Sequence, residues 1–215
     1  MRLTHFGHSA VLVEAAGQRI LIDPGNFSEG WRGLSELTAI VVTHQHGDHA
    51  DPEHLPVLIT NNPGARIIVE PTVCGLVQLP DGTTQLRPGD RVQLGGLTLQ
   101  GVGGQHAVIH ADYPQVPNVG VLLRAEGEPV VFHPGDALDT APEGVDVLLV
   151  PAFGPWAALK ETVQFVRAVD AKAGFLIHDG LLNDRGYGLI KTHLGRLTKL
   201  QLTDVRDPRP WYPDL

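Results

Sequence analysis

Six consecutive residues, His44-Gln45-His46-Gly47-Asp48-His49, constrain this chain more than any other segment in it. They follow directly on the apolar, β-branched run 39–43 (Ala-Ile-Val-Val-Thr), which reads as a buried strand. In extended backbone, residues two apart face the same way, so His44 and His46 present their imidazoles together. Gly47 then lets the chain turn sharply before Asp48 and His49. Imidazole and carboxylate are ligands for first-row metals. Four of them in six residues can begin two adjacent ion sites, one fed by the His pair and the other by Asp48 and His49. Asp51-Pro52 supplies an N-cap and first position for a helix of about two turns just downstream.

The remaining pattern is rich in strands. Runs 2–6, 10–14 and 19–23 read as three strands, with Gly17 turning the second into the third. Runs 65–70, 91–94, 97–102, 118–125, 129–133, 145–150 and 173–177 read as further strands, with hairpin turns at Gly95-Gly96 and 126–128. Helices are fewer: a turn near 34–37, a short helix over 71–78 weakened by Gly75, and helices over 157–169 and 187–197. Segment 103–117 is loop, and the tail 204–215, with prolines at 208, 210 and 213, is extended. No repeat or linker interrupts the chain, so 1–215 reads as one domain. Buried strands in both halves end on His- or Asp-bearing loops, which predicts an α+β arrangement of two sheets face to face with helices outside.

Composition narrows the partners. Sixteen Lys+Arg against 24 Asp+Glu leave a net charge of −8. Nucleic acid and anionic membrane both require clustered cations, so neither is an expected partner. One cysteine, Cys74, excludes an internal disulfide and a Cys-rich metal cage, and reads as a small apolar residue in a helix. No apolar run approaches the ~20 residues of a membrane span, and the first residues lack an apolar signal core, so a soluble, cytoplasmic protein is expected.

The hexapeptide resembles the metal-binding motif of the metallo-β-lactamase superfamily, and run 19–23 followed by Pro24 resembles the strand ending in Asp that precedes it there. Gly7-His8-Ser9, followed by Val11-Leu12-Val13-Glu14, is similar to the branch that includes ascorbate-phosphate lactonases and other small hydrolases. The resemblance spans nearly the whole chain. It implies an αββα sandwich of two mainly antiparallel sheets with helices on the outer faces, and two metals at the edge of the sheets. It also implies a dinuclear hydrolase using a metal-bound hydroxide on a small ester, lactone or phosphodiester. The two divalent ions would be zinc, with manganese or iron as alternatives.

Carried over position by position, the resemblance makes His44, His46, Asp48 and His49 ligands, with Asp48 also orienting the hydroxide. It adds a third histidine after run 97–102, where His106 matches better than His110, leaving His110 to a pocket or supporting place. It adds a bridging carboxylate at Asp136 in Pro134-Gly135-Asp136 and a last ligand at His178. Asp23 would accept a ligand imidazole's second N–H, or simply cap a turn. His8 reads equally as a substrate contact or a turn residue, and His133 points into or along the sheet. His5, His54 and His193 have no partner by spacing and read as surface residues. Trp156 walls the pocket or packs in the core.

Members of the family that open β-lactams commonly carry Cys where His49 stands, and Cys74 is misplaced for that role. The chain is also too short for the added domains of glyoxalase II and of the family's RNA-processing nucleases. No Gly-x-Ser-x-Gly nucleophile motif is present. The alternatives are a non-haem iron oxidoreductase on the same fold and a non-catalytic metal-binding protein.

Overall fold

The structure is a computed structural model and describes residues 1–207 and 209–213. Of the tail expected to be extended, Pro208, Asp214 and Leu215 lie outside the described residues.

The chain completes one sheet before it starts the next. The first contains β1 (Arg2–His5), β2 (Val11–Ala15), β3 (Gln18–Ile22), β4 (Ala39–Val42), β5 (Arg66–Val69) and β6 (Thr84–Gln85), side by side in that order. The second contains β7 (Arg91–Leu94), β8 (Leu97–Val102), β9 (Gly120–Ala125), β10 (Val131–His133), β11 (Val147–Pro151), β12 (Ala173–Ile177) and β13 (Gln201–Leu202), again with sequence neighbours paired. Helix α1 (Leu55–Asn61) and a 3₁₀ turn, Pro71–Gly75, belong to the first half, and α2 (Leu159–Val169) and α3 (Asp184–Leu197) to the second.

The sheets are mixed, where mainly antiparallel ones were expected. β1–β2–β3 and β7–β8–β9–β10 are antiparallel, while β3 to β6 and β10 to β13 run parallel. Tight turns at Gly17 and Gly95 can only reverse the chain. The longer crossovers that carry α1, α2 and α3 bring it back in the same direction.

Three apolar layers hold this arrangement. In β4, Ala39 and Val41 face the second sheet, while Ile40 and Val42 face outward against Leu55 and Leu58 of α1 and against Trp31. In β11, Val147 and Leu149 face the first sheet, while Leu148 and Val150 face Val163, Val166 and Leu194 of α2 and α3. Central strands buried on both faces must be apolar at every position, which is why these runs lack alternation. Each Leu, Ile or Val so buried contributes about 1.5–3 kcal/mol. The result is the αββα sandwich expected.

Local boundaries moved for identifiable reasons. Residues 34–37 form no helix: two turns, Arg32 N–H to the Glu29 carbonyl and Leu34 N–H to that of Trp31, take the chain across instead. Asp51 caps as expected, accepting the N–H groups of Glu53 and His54, but regular helix starts only at Leu55. Helix α3 begins at Asp184 rather than 187, because Asn183 accepts the N–H groups of Arg185 and Gly186. Among the described residues, no helix is long and apolar enough to cross a membrane.

Candidate metal centre

The loops leaving the C-terminal ends of β1, β3, β4, β8, β10 and β12 meet at one edge of the sandwich. His8 follows β1, Asp23 follows β3, His44 to His49 follow β4, His106 follows β8, Asp136 follows β10 and His178 follows β12. The 44–49 loop lies directly on Gly25, where a Cβ would come within 1.7 Å of the Asp48 carbonyl oxygen, so only glycine fits. Gly135 has φ +62°, and a Cβ there would stand 2.2 Å from Asn118 Oδ1 and 2.8 Å from Thr43 Oγ1. That close approach fixes the turn presenting Asp136. Asn118 locks it from both sides, donating to the Pro134 carbonyl (2.9 Å) and accepting the Asp136 N–H (3.0 Å).

Two groups of potential ligand atoms result, each with its atoms within 4.8 Å of one another: His44, His46, His106 and Asp136, and His8, Asp48, His49 and His178. Asp136 also reaches into the second group. Its Oδ1 is 3.0 Å from His49 Nε2, and its Oδ2 is 3.0 Å from His178 Nε2, 3.3 Å from His106 Nε2 and 3.8 Å from His44 Nε2. Asp48 Oδ2 lies 3.5 Å from His178 Nε2.

Partners on the far side of each ring set its orientation. Asp23 Oδ2 takes the Nδ1–H of His49 at 2.7 Å and also the Thr43 hydroxyl at 2.7 Å. The Ala107 carbonyl accepts from His106 Nδ1 at 2.6 Å, and the Phe153 carbonyl accepts from His178 Nδ1. Thr43 Oγ1, its proton given to Asp23, accepts from His44 Nδ1 at 3.1 Å. Four rings therefore turn Nε2 inward, where each can offer a lone pair once a cation displaces any proton there. His8 is the exception. Its Nδ1 accepts the Gly180 N–H (3.2 Å), so in the neutral ring the proton sits on Nε2, which donates to Asp48 Oδ2 (3.0 Å).

The fit to metal ions is visible in what these atoms lack. Nε2 of His49, His106 and His178 and Oδ1 of Asp136 are buried without a hydrogen-bond partner. Leaving one such group unsatisfied costs about 1–3 kcal/mol, so four converging on one point mark a place built for something else. His8, Asp23 and His178 also hold left-handed backbone, with φ +50°, +51° and +54°. Non-glycine residues there are strained by about 1–2 kcal/mol each, and these three surround one site.

Charge divides the centre. Burial, reinforced by His49, holds His44 well below the ordinary imidazole value, and burial followed by His106 lowers His46. Burial opposes charge on His49 and His178 as well, but Asp136 outweighs it. With Asp23 it holds His49 well above the ordinary value, and it raises His178 to about 9. Burial would raise Asp136 and Asp48. The imidazoles His49 and His178 beside Asp136, and the His178 imidazole together with the hydrogen bond from His8 at Asp48, reverse that and keep both carboxylates anionic. In metal-free protein, protons on imidazole occupy the positive places that a cation would take.

The structure brings together His44, His46, Asp48, His49, His106, Asp136 and His178, with Asp23 and His8 behind them. His110 is left outside, its side chain 69% exposed and near only Asp112. His5 is not at the surface as expected: it is buried, with Nε2 on the His8 carbonyl (2.9 Å), where it supports the His8 loop. His133 is buried between the Ser9 carbonyl and the Gly135 N–H. His54 and His193 are partly exposed. Trp156 is buried at the rim, its ring centroid 5.6 Å from that of His106 and 5.4 Å from that of His178. The sequence reading passed over Asn118 and Thr43. For Asn118 a signal existed: a polar residue heading the buried apolar run 119–123.

Residues 2–177 match the profile of the beta-lactamase superfamily domain. The chain is 40% identical to protein Rv0786c of Mycobacterium tuberculosis over 96% of its own length and 95% of that protein's. It is 30% identical to a UPF0173 metal-dependent hydrolase of Methylobacterium nodulans, over 70% of this chain and 72% of the relative. In structure it superposes on the metallo-beta-lactamase fold protein YhfI of Bacillus subtilis with a TM-score of 0.73, at 15% identity and covering 98% of each chain.

Proposed function

The chain belongs to the beta-lactamase superfamily, and from that membership we propose that it is a metal-dependent hydrolase whose site takes two divalent ions. The observation that carries this reading is the convergence of four buried, unpartnered ligand atoms from four different loops on the space beside Asp136. His44, His46 and His106 would hold one ion, Asp48, His49 and His178 the other, and Asp136 would join both. A donor set of imidazole and carboxylate without thiolate suits zinc, and also manganese or iron. Two divalent ions held there would supply Lewis acidity and would bring the pKa of a water down to about 7.

The chain's own residues do the rest. Asp136 would offset the repulsion between two close cations. Asp23 fixes the ring of His49 through Nδ1. His8 donates to Oδ2 of Asp48 and so fixes the carboxylate that would orient the attacking water. Trp156, packed against His106 and His178, limits bulk water at the rim. The substrate is a small molecule with a hydrolysable ester, lactone or phosphodiester bond. A net charge of −8 speaks against nucleic-acid and membrane partners. The two sheets share one core, which favours a single domain over 1–215, and the exposed free Cys74 fits a reducing cytoplasm.

Metal analysis of protein reconstituted with zinc, paired with turnover of p-nitrophenyl esters and bis-p-nitrophenyl phosphate, tests the reading. Two equivalents of metal and metal-dependent release of nitrophenol are expected. Two bound equivalents with no turnover on either substrate class would contradict the hydrolase, and one or none would contradict the pair of ions.

A further inference from the structure

A cavity of about 360 Å³ opens beside the centre, within the range of small-ligand pockets. His106 and Trp156 belong to its wall, so it adjoins the His44, His46 and His106 side of the centre. Val108 and Leu138 give it an apolar side, and Gln115, Gln164, Asp139 and Glu161 give it a polar one. Among the described residues, no lysine or arginine lines it. Its two carboxylates are held by neutral groups: Asp139 Oδ1 accepts the Thr140 hydroxyl (3.1 Å), and Glu161 Oε2 accepts the Ala158 N–H (3.0 Å). Among the described residues, no cation pairs with either carboxylate.

Beyond the ions of the centre, which every substrate meets at the cleaved bond, an anion here faces two carboxylates, finds no guanidinium or ammonium, and must give up its hydration for an apolar wall. A neutral or ammonium-bearing group meets none of these costs, and glutamine amides can bond its carbonyl or hydroxyl. Gly154 makes the wall possible, since a Cβ there would come within 2.5 Å of the Trp156 indole.

We propose that the part of the substrate beyond the cleaved bond is a small, partly apolar group that is uncharged or cationic, and that a phosphate or carboxylate in that position is rejected. This rests on the hydrolase reading above and narrows it, setting aside substrates with a phosphate handle of the ascorbate-phosphate kind.

Three esters of matched size test it on the two-metal protein: p-nitrophenyl hexanoate, p-nitrophenyl hydrogen adipate and p-nitrophenyl 6-aminohexanoate, whose chains are too long for the free carboxylate or amine to close rapidly on the ester. At low salt the anionic ester is expected to have a kcat/KM about tenfold below the neutral one, with the cationic ester equal to it or better, and added salt should shrink the gap because the carboxylates are solvent-exposed. In the Asp139→Asn, Glu161→Gln double variant the anionic-to-neutral ratio should move close to one. The Glu161→Gln change keeps the cap on α2, since a glutamine amide oxygen can still accept the Ala158 N–H. An anionic ester turned over as well as the neutral one would overturn the proposal.

Binding separates this from failure of the parent reading. Butyramide, succinamate and 4-aminobutyramide are titrated into metal-free protein, following the change in tryptophan fluorescence that is lost in Trp156→Phe, the other two tryptophans, Trp31 and Trp211, serving as the constant background. Response to butyramide and 4-aminobutyramide but not succinamate is expected. Equal response to succinamate, or response to none, overturns the charge preference. Absence of turnover on all three esters, with two ions bound, refutes the hydrolase itself.

Discussion

The same hexapeptide feeds both halves of the centre, yet the halves are built differently. His44, His46 and His106 are braced by neutral groups, the Thr43 hydroxyl and the Ala107 carbonyl, and share only Asp136 for charge. Asp48, His49 and His178 have Asp136 in front, Asp23 behind and Asp48 among them. Ligand charge sets how strongly oxygen and nitrogen sites hold a divalent ion. The second half should therefore bind its ion more tightly, although the first has one imidazole more. Spacing in sequence says which ligands pair; what stands behind each ring says how strongly they hold.

Asp136 is where the comparison breaks most completely, because both halves use it. Asp136→Asn keeps the size and the turn preference of the residue, and the Asn118 bonds to the backbone remain available. It should stay folded by circular dichroism, lose at least one ion, and lose hydrolysis by on the order of a thousandfold. Unchanged metal content and rate would reduce Asp136 to a turn residue and direct the search to Asp139. Removal of one ligand from each half should then separate them. His106→Ala should leave about one tightly held equivalent, whereas His178→Ala should weaken the retained ion as well as the lost one, as read by chelator competition. His110→Ala should keep both; a larger loss there than at His106 would reverse the assignment.

Smaller changes sharpen the contrast. Asp23→Asn keeps the shape but removes the charge behind His49, and second-layer changes of this kind weaken metal binding about 10- to 100-fold. The loss should fall on the second half only. It should also lower stability by about 1–3 kcal/mol, since Thr43 N–H and Oγ1 depend on the same carboxylate. Equal weakening of both halves would show that Asp23 acts through the fold alone. His8→Phe has the smallest expected effect: both ions kept, and kcat down about tenfold through loss of the hydrogen bond to Asp48. Loss of an ion in this variant would make His8 a ligand after all.

These differences were only partly legible in the sequence. The strands with long apolar runs were readable because burial on both faces leaves no freedom of composition, as in 39–43 and 173–177. The two-residue strands β6 and β13 were not, because their pairing with β5 and β12 is decided by distant chain and not by their own pattern. The parallel half of each sheet was hidden for the same reason. In the site, ligand candidates stood out by chemistry and spacing. Their supports did not: Asn118, Thr43 and Gly25 are ordinary residues whose roles come from contacts with chain far away in sequence, and His5 looked solitary until the fold laid the His8 carbonyl on its ring. The backbone strain at His8 and His178 has no sequence signal either.

The most direct test of the account is anomalous diffraction at the zinc edge from crystals of the zinc-loaded protein. Two peaks are predicted, one among His44, His46 and His106 and the other among Asp48, His49 and His178, with Asp136 between them and His8 bonded to Asp48 rather than to an ion. Under limiting zinc the second peak should fill first. A single peak, or an ion bound by His8 in place of Asp136, would contradict it.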